Sequence, residues 1–131
     1  MSDPDIDELF QLLGQRQYGI SHVAMPSFEQ HREFVLSHPY RAWMFVEHEG
    51  ETVGSLYLLE SNHIGINMKS GYAWCIETAI HLLCKQYEPL PAIASVRSGK
   101  YAINVAPEDN EQVRALQDAG AMLIQHTFQI P

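Results

Sequence analysis

Residues 65–83, GINMKSGYAWCIETAIHLL, open as a strand, break at Lys69-Ser70-Gly71 and run on as an apolar helix. A break of this composition can do one kind of chemistry. The first N–H groups of a helix have no internal partners and carry a partial positive charge, so they attract anions. Gly71 permits the backbone conformations that turn such groups inward, Ala73 is small enough to let a phosphate approach, and Lys69 can add a full charge. The same residues also suit an ordinary strand-to-helix turn. Lys69-Ser70-Gly71-Tyr72-Ala73 therefore reads either as a phosphate cradle or as a connection.

Other reactive residues carry less. The seven histidines, His22, His31, His38, His48, His63, His81 and His126, show no ligand spacing with one another or with cysteine, and no metal is expected. Cys75 and Cys84 match no zinc or redox motif and read as inert core thiols of a reducing compartment. Ser70-Gly71 and Ser98-Gly99 lack the context of a nucleophile elbow. Tyr40 and Trp43 can stack on a sugar or a nucleotide base, but aromatic residues at a strand start more often belong to a core.

The chain has 131 residues, 46% of them hydrophobic, enough for one compact domain over residues 1–131. No apolar run approaches the ~20 residues that span a bilayer, and the start MSDPDIDELF lacks the basic region of a signal peptide, so a soluble cytoplasmic protein is expected. Eight basic against sixteen acidic side chains leave a formal charge of −8, which opposes binding to nucleic acid or an anionic membrane. An anionic ligand would need local help, such as the amides of the turn.

The elements that must position the turn follow from periodicity and capping. Within residues 1–17, Asp3 to Leu13 predicts an amphipathic helix with Ile6, Leu9, Phe10 and Leu13 on one face. YGISHVAM, 18–25, predicts a strand. Ser27 predicts a helix cap, with Gln30 completing a capping box and the helix running to Leu36 before His38-Pro39. RAWMFVEH, TVGSLYLLE and HIGINM, joined by Glu49-Gly50-Glu51 and Ser61-Asn62, predict an antiparallel meander. A helix follows over Tyr72–Tyr87, with Trp74, Ala79, Leu82 and Leu83 among its apolar positions. KYAINVAP predicts a strand, PEDNEQVRALQDAG a helix opened by Pro107 and closed by Gly120, and AMLIQHTFQI a final strand. Residues 88–99 match no element. This order implies an α/β fold with a mixed central sheet, an antiparallel meander and flanking helices.

The order of elements from about residue 18 to 129 resembles the GNAT N-acetyltransferase superfamily. HPYRAWMFVEHEGETVGSLYLLESNHIGINM is similar to the meander of bacterial members associated with surface-sugar and flagellin-glycan biosynthesis, and INVAPEDNEQVRALQDAGAMLIQHTFQI to their closing strand, helix and strand. The resemblance implies a GNAT-like fold that uses acetyl-CoA as cosubstrate. It also gives the turn a role: the family's pyrophosphate loop, Gln/Arg-x-x-Gly-x-Gly/Ala, falls on Met68, Lys69, Ser70, Gly71, Tyr72 and Ala73, with Gly71 and Ala73 matching and Met68 departing from the polar first position.

By the same resemblance a base comes from the strand before the loop, where this chain carries His63, whose ordinary pKa of ~6.5 suits it to proton transfer at neutral pH. The family's acid, a tyrosine in the last helix, has no counterpart in NEQVRALQDAGA, where Leu116 or Gln117 stands at its place. The implied function is transfer of an acetyl group from acetyl-CoA to a small amine, with a nucleotide-linked amino sugar as the nearest class of acceptor, and a homodimer is compatible with it. The alternative is a GNAT-fold binding or scaffolding protein without turnover.

Overall fold

The computed structural model describes residues 2–14 and 26–131, and the strand expected over 18–25 lies outside them. Helix α1, Asp3–Gly14, and helix α2, Phe28–Leu36, precede a four-stranded sheet built from β1 Ala42–His48, β2 Glu51–Leu58, β3 His63–Met68 and β4 Ala102–Ile103. A 3₁₀ turn, Ala73–Cys75, leads into α3, Ile76–Gln86, and α4, Asn110–Asp118, follows β4. The strand order is β1-β2-β3-β4, antiparallel through β3 and parallel between β3 and β4. The fold is thus mixed α/β, as the order of elements implied.

Local chemistry accounts for the boundaries. Ser27 caps α2 through a capping box with Gln30, satisfying donors at both ends of that first turn. The β1–β2 connection is tighter than expected: Glu49 and Gly50 both take positive φ, 52° and 78°, and His48 already pairs with Glu51. Two central residues with positive φ match the right-handed twist of the strands they join.

Side-chain alternation sorts the sheet into two covered faces. Ala42, Met44, Val46, Leu56, Leu58, Ile64 and Ile66 meet Ile80 and Leu83 of α3, while Trp43 and Phe45 meet Ile6, Leu9 and Val35 from α1 and α2. Asn67, one step out of phase with Ile66, donates from Nδ2 to the carbonyl of Leu12 at 3.2 Å and ties the end of α1 to β3. Leu12, buried, replaces Leu13 on the expected face of α1.

Several expectations are corrected. The helix expected from Tyr72 begins as a 3₁₀ turn at Ala73 and becomes α-helical at Ile76, and Trp74 and Leu82 point to solvent at 61% and 53% exposure. Nine residues advance a helix by about two and a half turns, so when Cys75 is buried Cys84 faces outward. The strand KYAINVAP is reduced to Ala102–Ile103, and α4 is capped by Asp109 rather than opened by Pro107. Residues 121–130, expected as a final strand, form no sheet pairing among the described residues and are exposed throughout. A strand needs a neighbour to satisfy its backbone, and that segment has none among the described residues.

Residues 88–99 form a loop closed by a bridge between Ile93 and Arg97. Asn62, fully buried with φ 68°, donates to the carbonyls of Leu90 at 2.9 Å and Ser98 at 2.7 Å and accepts from Leu90 N–H at 2.8 Å. Arg97 adds bonds to the carbonyls of Pro91 and Glu60. The loop is therefore held against the turn that precedes His63.

Candidate functional site

The site is organised by β3. Leu59 N–H donates to the carbonyl of His63 at 2.9 Å, and Lys69 N–H donates to that of Val53 at 2.8 Å. In an antiparallel ladder the residues that alternate with these turn their backbone groups to the opposite edge. Ala102 N–H meets one such group, the carbonyl of Asn62, at 3.1 Å. β4 pairs with β3 only at His63 and Ile64, whereas β3 continues to Met68. The N–H groups of Ile66 and Met68 consequently face an edge from which β4 has parted. Parting parallel strands open a crevice at their carboxyl ends, where ligands of α/β proteins bind.

The turn Lys69–Ala73 stands at that carboxyl end. Tyr72 N–H donates to the carbonyl of Lys69 at 3.1 Å, and Cys75 N–H to that of Tyr72 at 3.0 Å. Among the described residues, the N–H groups of Ser70, Gly71, Ala73 and Trp74 donate to no protein acceptor. Gly71 has φ 87°, which only glycine adopts at little cost, and no atom lies within 4 Å of where its Cβ would be. Open space and undonated amides suit an anion. Glu77, in the first turn of α3, is the acidic group nearest in sequence that competes for the same potential.

Met68 serves a different purpose from the polar residue that the family pattern has at its position. It pairs with Gly54, and its Sδ lies where a Cβ on Gly54 would be, so its side chain packs across the sheet. Only its backbone faces the gap.

His63 begins β3, five residues of strand and roughly 16 Å from Met68. His63 and the Lys69–Ala73 turn therefore do not meet, and only an extended ligand lying along β3 can touch both. The Nδ1 atom of His63 is 2.8 Å from Ser61 Oγ. When Nδ1–H donates to that hydroxyl, Nε2 carries the free lone pair, the tautomer that a base requires.

Gly65, in phase with His63, is covered by the ring of Tyr57, which stacks on Tyr40 with centroids 4.1 Å apart and planes 7° apart. Trp43 packs edge-on to Tyr40, and His38 lies tilted against Tyr40 and edge-on to Trp43. Burial and the neighbouring Tyr57 push the Tyr40 phenol far above its ordinary pKa, so it stays neutral. Tyr57 was not singled out by sequence reasoning, although the Tyr57–Gly65 register was implicit in the meander. The backbone of Ile66 and Met68 was also missed, because an edge exists only once strand lengths are known.

No helix of the described residues is long and apolar enough to cross a membrane, and no group of three His, Cys, Asp or Glu among them is placed to hold a metal ion. No family model matches the chain, and no match emerges among curated proteins or solved structures.

Proposed function

We propose that the chain is an acetyl-CoA-dependent N-acetyltransferase of GNAT type acting on a small amine, with a nucleotide-linked amino sugar as the preferred class of acceptor. The observation that carries the reading is the parting of β3 from β4 after Ile64, which leaves the N–H groups of Ile66 and Met68 facing a gap that leads to the undonated amides at Ser70, Gly71, Ala73 and Trp74. An extended ligand with its own amides can pair with a strand edge as an added strand does. Its pyrophosphate then meets the Lys69–Ala73 turn, and its thioester lies towards His63.

A thioester is already activated, so the chain's share of the chemistry is alignment and one proton transfer. The amine nitrogen attacks the thioester carbonyl, the carbon–sulfur bond breaks, and the amine proton passes to His63 Nε2 directly or through water. The thiolate can leave without a protein acid, since its conjugate acid has a pKa of ~8.5. That matters here, because Leu116 is buried and Gln117 is no acid. The tyrosine Oη nearest β4 in sequence, that of Tyr101, already donates to the carbonyl of Tyr87 at 2.8 Å.

A second reading has one observation in its favour. With no tyrosine in α4 and Met68 turned into the sheet, the same cleft can serve a protein that binds the coenzyme without turnover. Calorimetric titration with acetyl-CoA, followed by thiol release against amino sugars, their nucleotide conjugates, polyamines and peptide N-termini, separates the two. Binding with saturable release supports the enzyme, and binding with no release from any amine supports the scaffold. Absence of binding overturns both.

A further inference from the structure

The loop 88–99 folds around a cavity of about 400 Å³ that opens to solvent and is lined by residues 92–98. That volume lies within the range of small-ligand sites. The loop's frame is fixed by backbone bonds. Ile93 and Arg97 each donate from N–H to the other's carbonyl at 2.8 Å, Asn62 fastens Leu90 and Ser98, and Arg41 Nη1 donates to the carbonyl of Glu88 at 2.9 Å. Ser95 is held at φ 63°, a strained conformation for serine of a kind that collects at ligand clamps.

Arg97 is the charged residue of the lining. Its Nε donates to the carbonyl of Pro91 at 2.9 Å and its Nη1 to that of Glu60 at 3.1 Å. These bonds pin the guanidinium, and its remaining N–H donors meet no protein acceptor among the described residues. A guanidinium held in this way presents a fork that matches phosphate oxygens. The N–H groups of Ala94 and Ser95 also donate to no protein acceptor among the described residues, and Ile93 and Val96 offer exposed apolar surface on the same loop. Arg41, Arg97 and Lys100 outnumber Glu60 and Glu88 at this end of the sheet, a local positive excess on a chain of formal charge −8.

We propose that the 88–99 loop binds the diphosphate of the acceptor, a nucleoside diphosphate that carries the amino sugar, with Arg97 as a specificity-determining residue. The assignment rests on the acetyltransferase reading, because the acceptor amine has to reach His63. A coenzyme lying along β3 places its pyrophosphate at the Lys69–Ala73 turn, beyond the carboxyl end of that strand. The loop stands at the other end, held by Asn62 beside His63. Each anion then has its own cationic site, and amine and thioester meet between them. The apolar side chains of Ile93 and Val96 give the nucleoside a surface to cover.

Titration calorimetry on the full chain with UDP and GDP, and with uridine as the uncharged control, tests the site. Both diphosphates are expected to bind and uridine is not, and added salt should weaken the binding because the cavity is open to solvent. Arg97→Gln should weaken UDP about tenfold or more. Arg97 also holds the loop, so Ala94→Glu is the second variant. It brings a like charge into the cavity at an exposed residue that takes part in none of the bonds fixing the loop, and it should weaken UDP to a similar extent. Both variants should keep the parent's affinity for acetyl-CoA, whereas Gly71→Asp should lose acetyl-CoA and keep UDP. UDP binding that is absent in the parent, that resists Ala94→Glu, or that competes with acetyl-CoA overturns the proposal. Failure of acetyl-CoA to bind, with UDP bound by the parent and weakened in both variants, overturns the coenzyme reading and upholds the diphosphate site.

Discussion

Asn62 and Leu90 hold each other by a reciprocal pair of hydrogen bonds, Asn62 Nδ2 donating to the Leu90 carbonyl at 2.9 Å and Leu90 N–H donating to Asn62 Oδ1 at 2.8 Å. A third bond from Nδ2 reaches Ser98, so one fully buried side chain fastens both ends of the 88–99 loop beside His63. Its φ of 68° is a conformation asparagine tolerates better than most residues.

Asn62→Gly keeps the backbone relaxed and removes the clamp, leaving buried groups unpaired at about 1–3 kcal/mol. Asn62→Ala adds the strain of positive φ and should be the less stable of the two. Urea unfolding measures the difference, and limited proteolysis within 88–99 should accelerate in both. Equal stability to the parent would mean that the loop is held by other contacts.

Gly65 is required by the ring above it. A Cβ at Gly65 would fall within the Tyr57 side chain, so Gly65→Ala should destabilise the fold by about 1–3 kcal/mol through overpacking. Tyr57→Leu in the same chain should recover part of the loss. A double-mutant cycle with no coupling would refute the contact.

Gly71 is required by conformation alone. Gly71→Asn should fold nearly as stably as the parent, since asparagine accepts positive φ and nothing lies in the way. Gly71→Ala should cost roughly 1 kcal/mol. Gly71→Asp should also fold but lose acetyl-CoA binding through its like charge, whereas Asn should retain most of it. Equal binding by the Asp and Asn variants would place the anion elsewhere.

His31 is 6% exposed, packs against Phe10, and has no hydrogen-bond partner for Nε2 among the described residues. Burial lowers its pKa below the ordinary 6.5, and a backbone hydrogen bond with Ile6 offsets part of this. The unfolded chain therefore gains a proton first as pH falls. The stability that goes with the neutral ring is full above pH 6.5 and is lost as pH falls below it towards the folded pKa. His31→Leu should flatten the dependence of the urea midpoint on pH in that window. An unchanged slope would assign the acid sensitivity to other groups.

Much of the architecture was legible because it rests on local rules. The Ser27–Gln30 capping box and the alternation along Ala42–Met68 depend on residues close in sequence and appear where the sequence implied them, and the Glu49-Gly50 turn is one residue tighter than the expected Glu49-Gly50-Glu51. The position of the Lys69–Ala73 turn at the end of β3 was legible for the same reason.

The rest depended on partners distant in the chain. AMLIQHTFQI has the period of a strand, but period two states only that a strand is possible, and pairing requires a neighbour that local sequence does not supply. KYAINVAP shortens to two paired residues for the same reason, and that shortening creates the open edge at Ile66 and Met68. Asn62 gave no sign in sequence of holding residues 88–99, since its partners lie 28 and 36 residues away. The sequence by itself determined which segments become helices, meander strands and tight turns, because caps, side-chain periodicity and positive-φ residues act over a few residues. Only the tertiary structure decided where β3 and β4 part, because strand length is set by hydrogen bonds between segments that meet only when the chain folds.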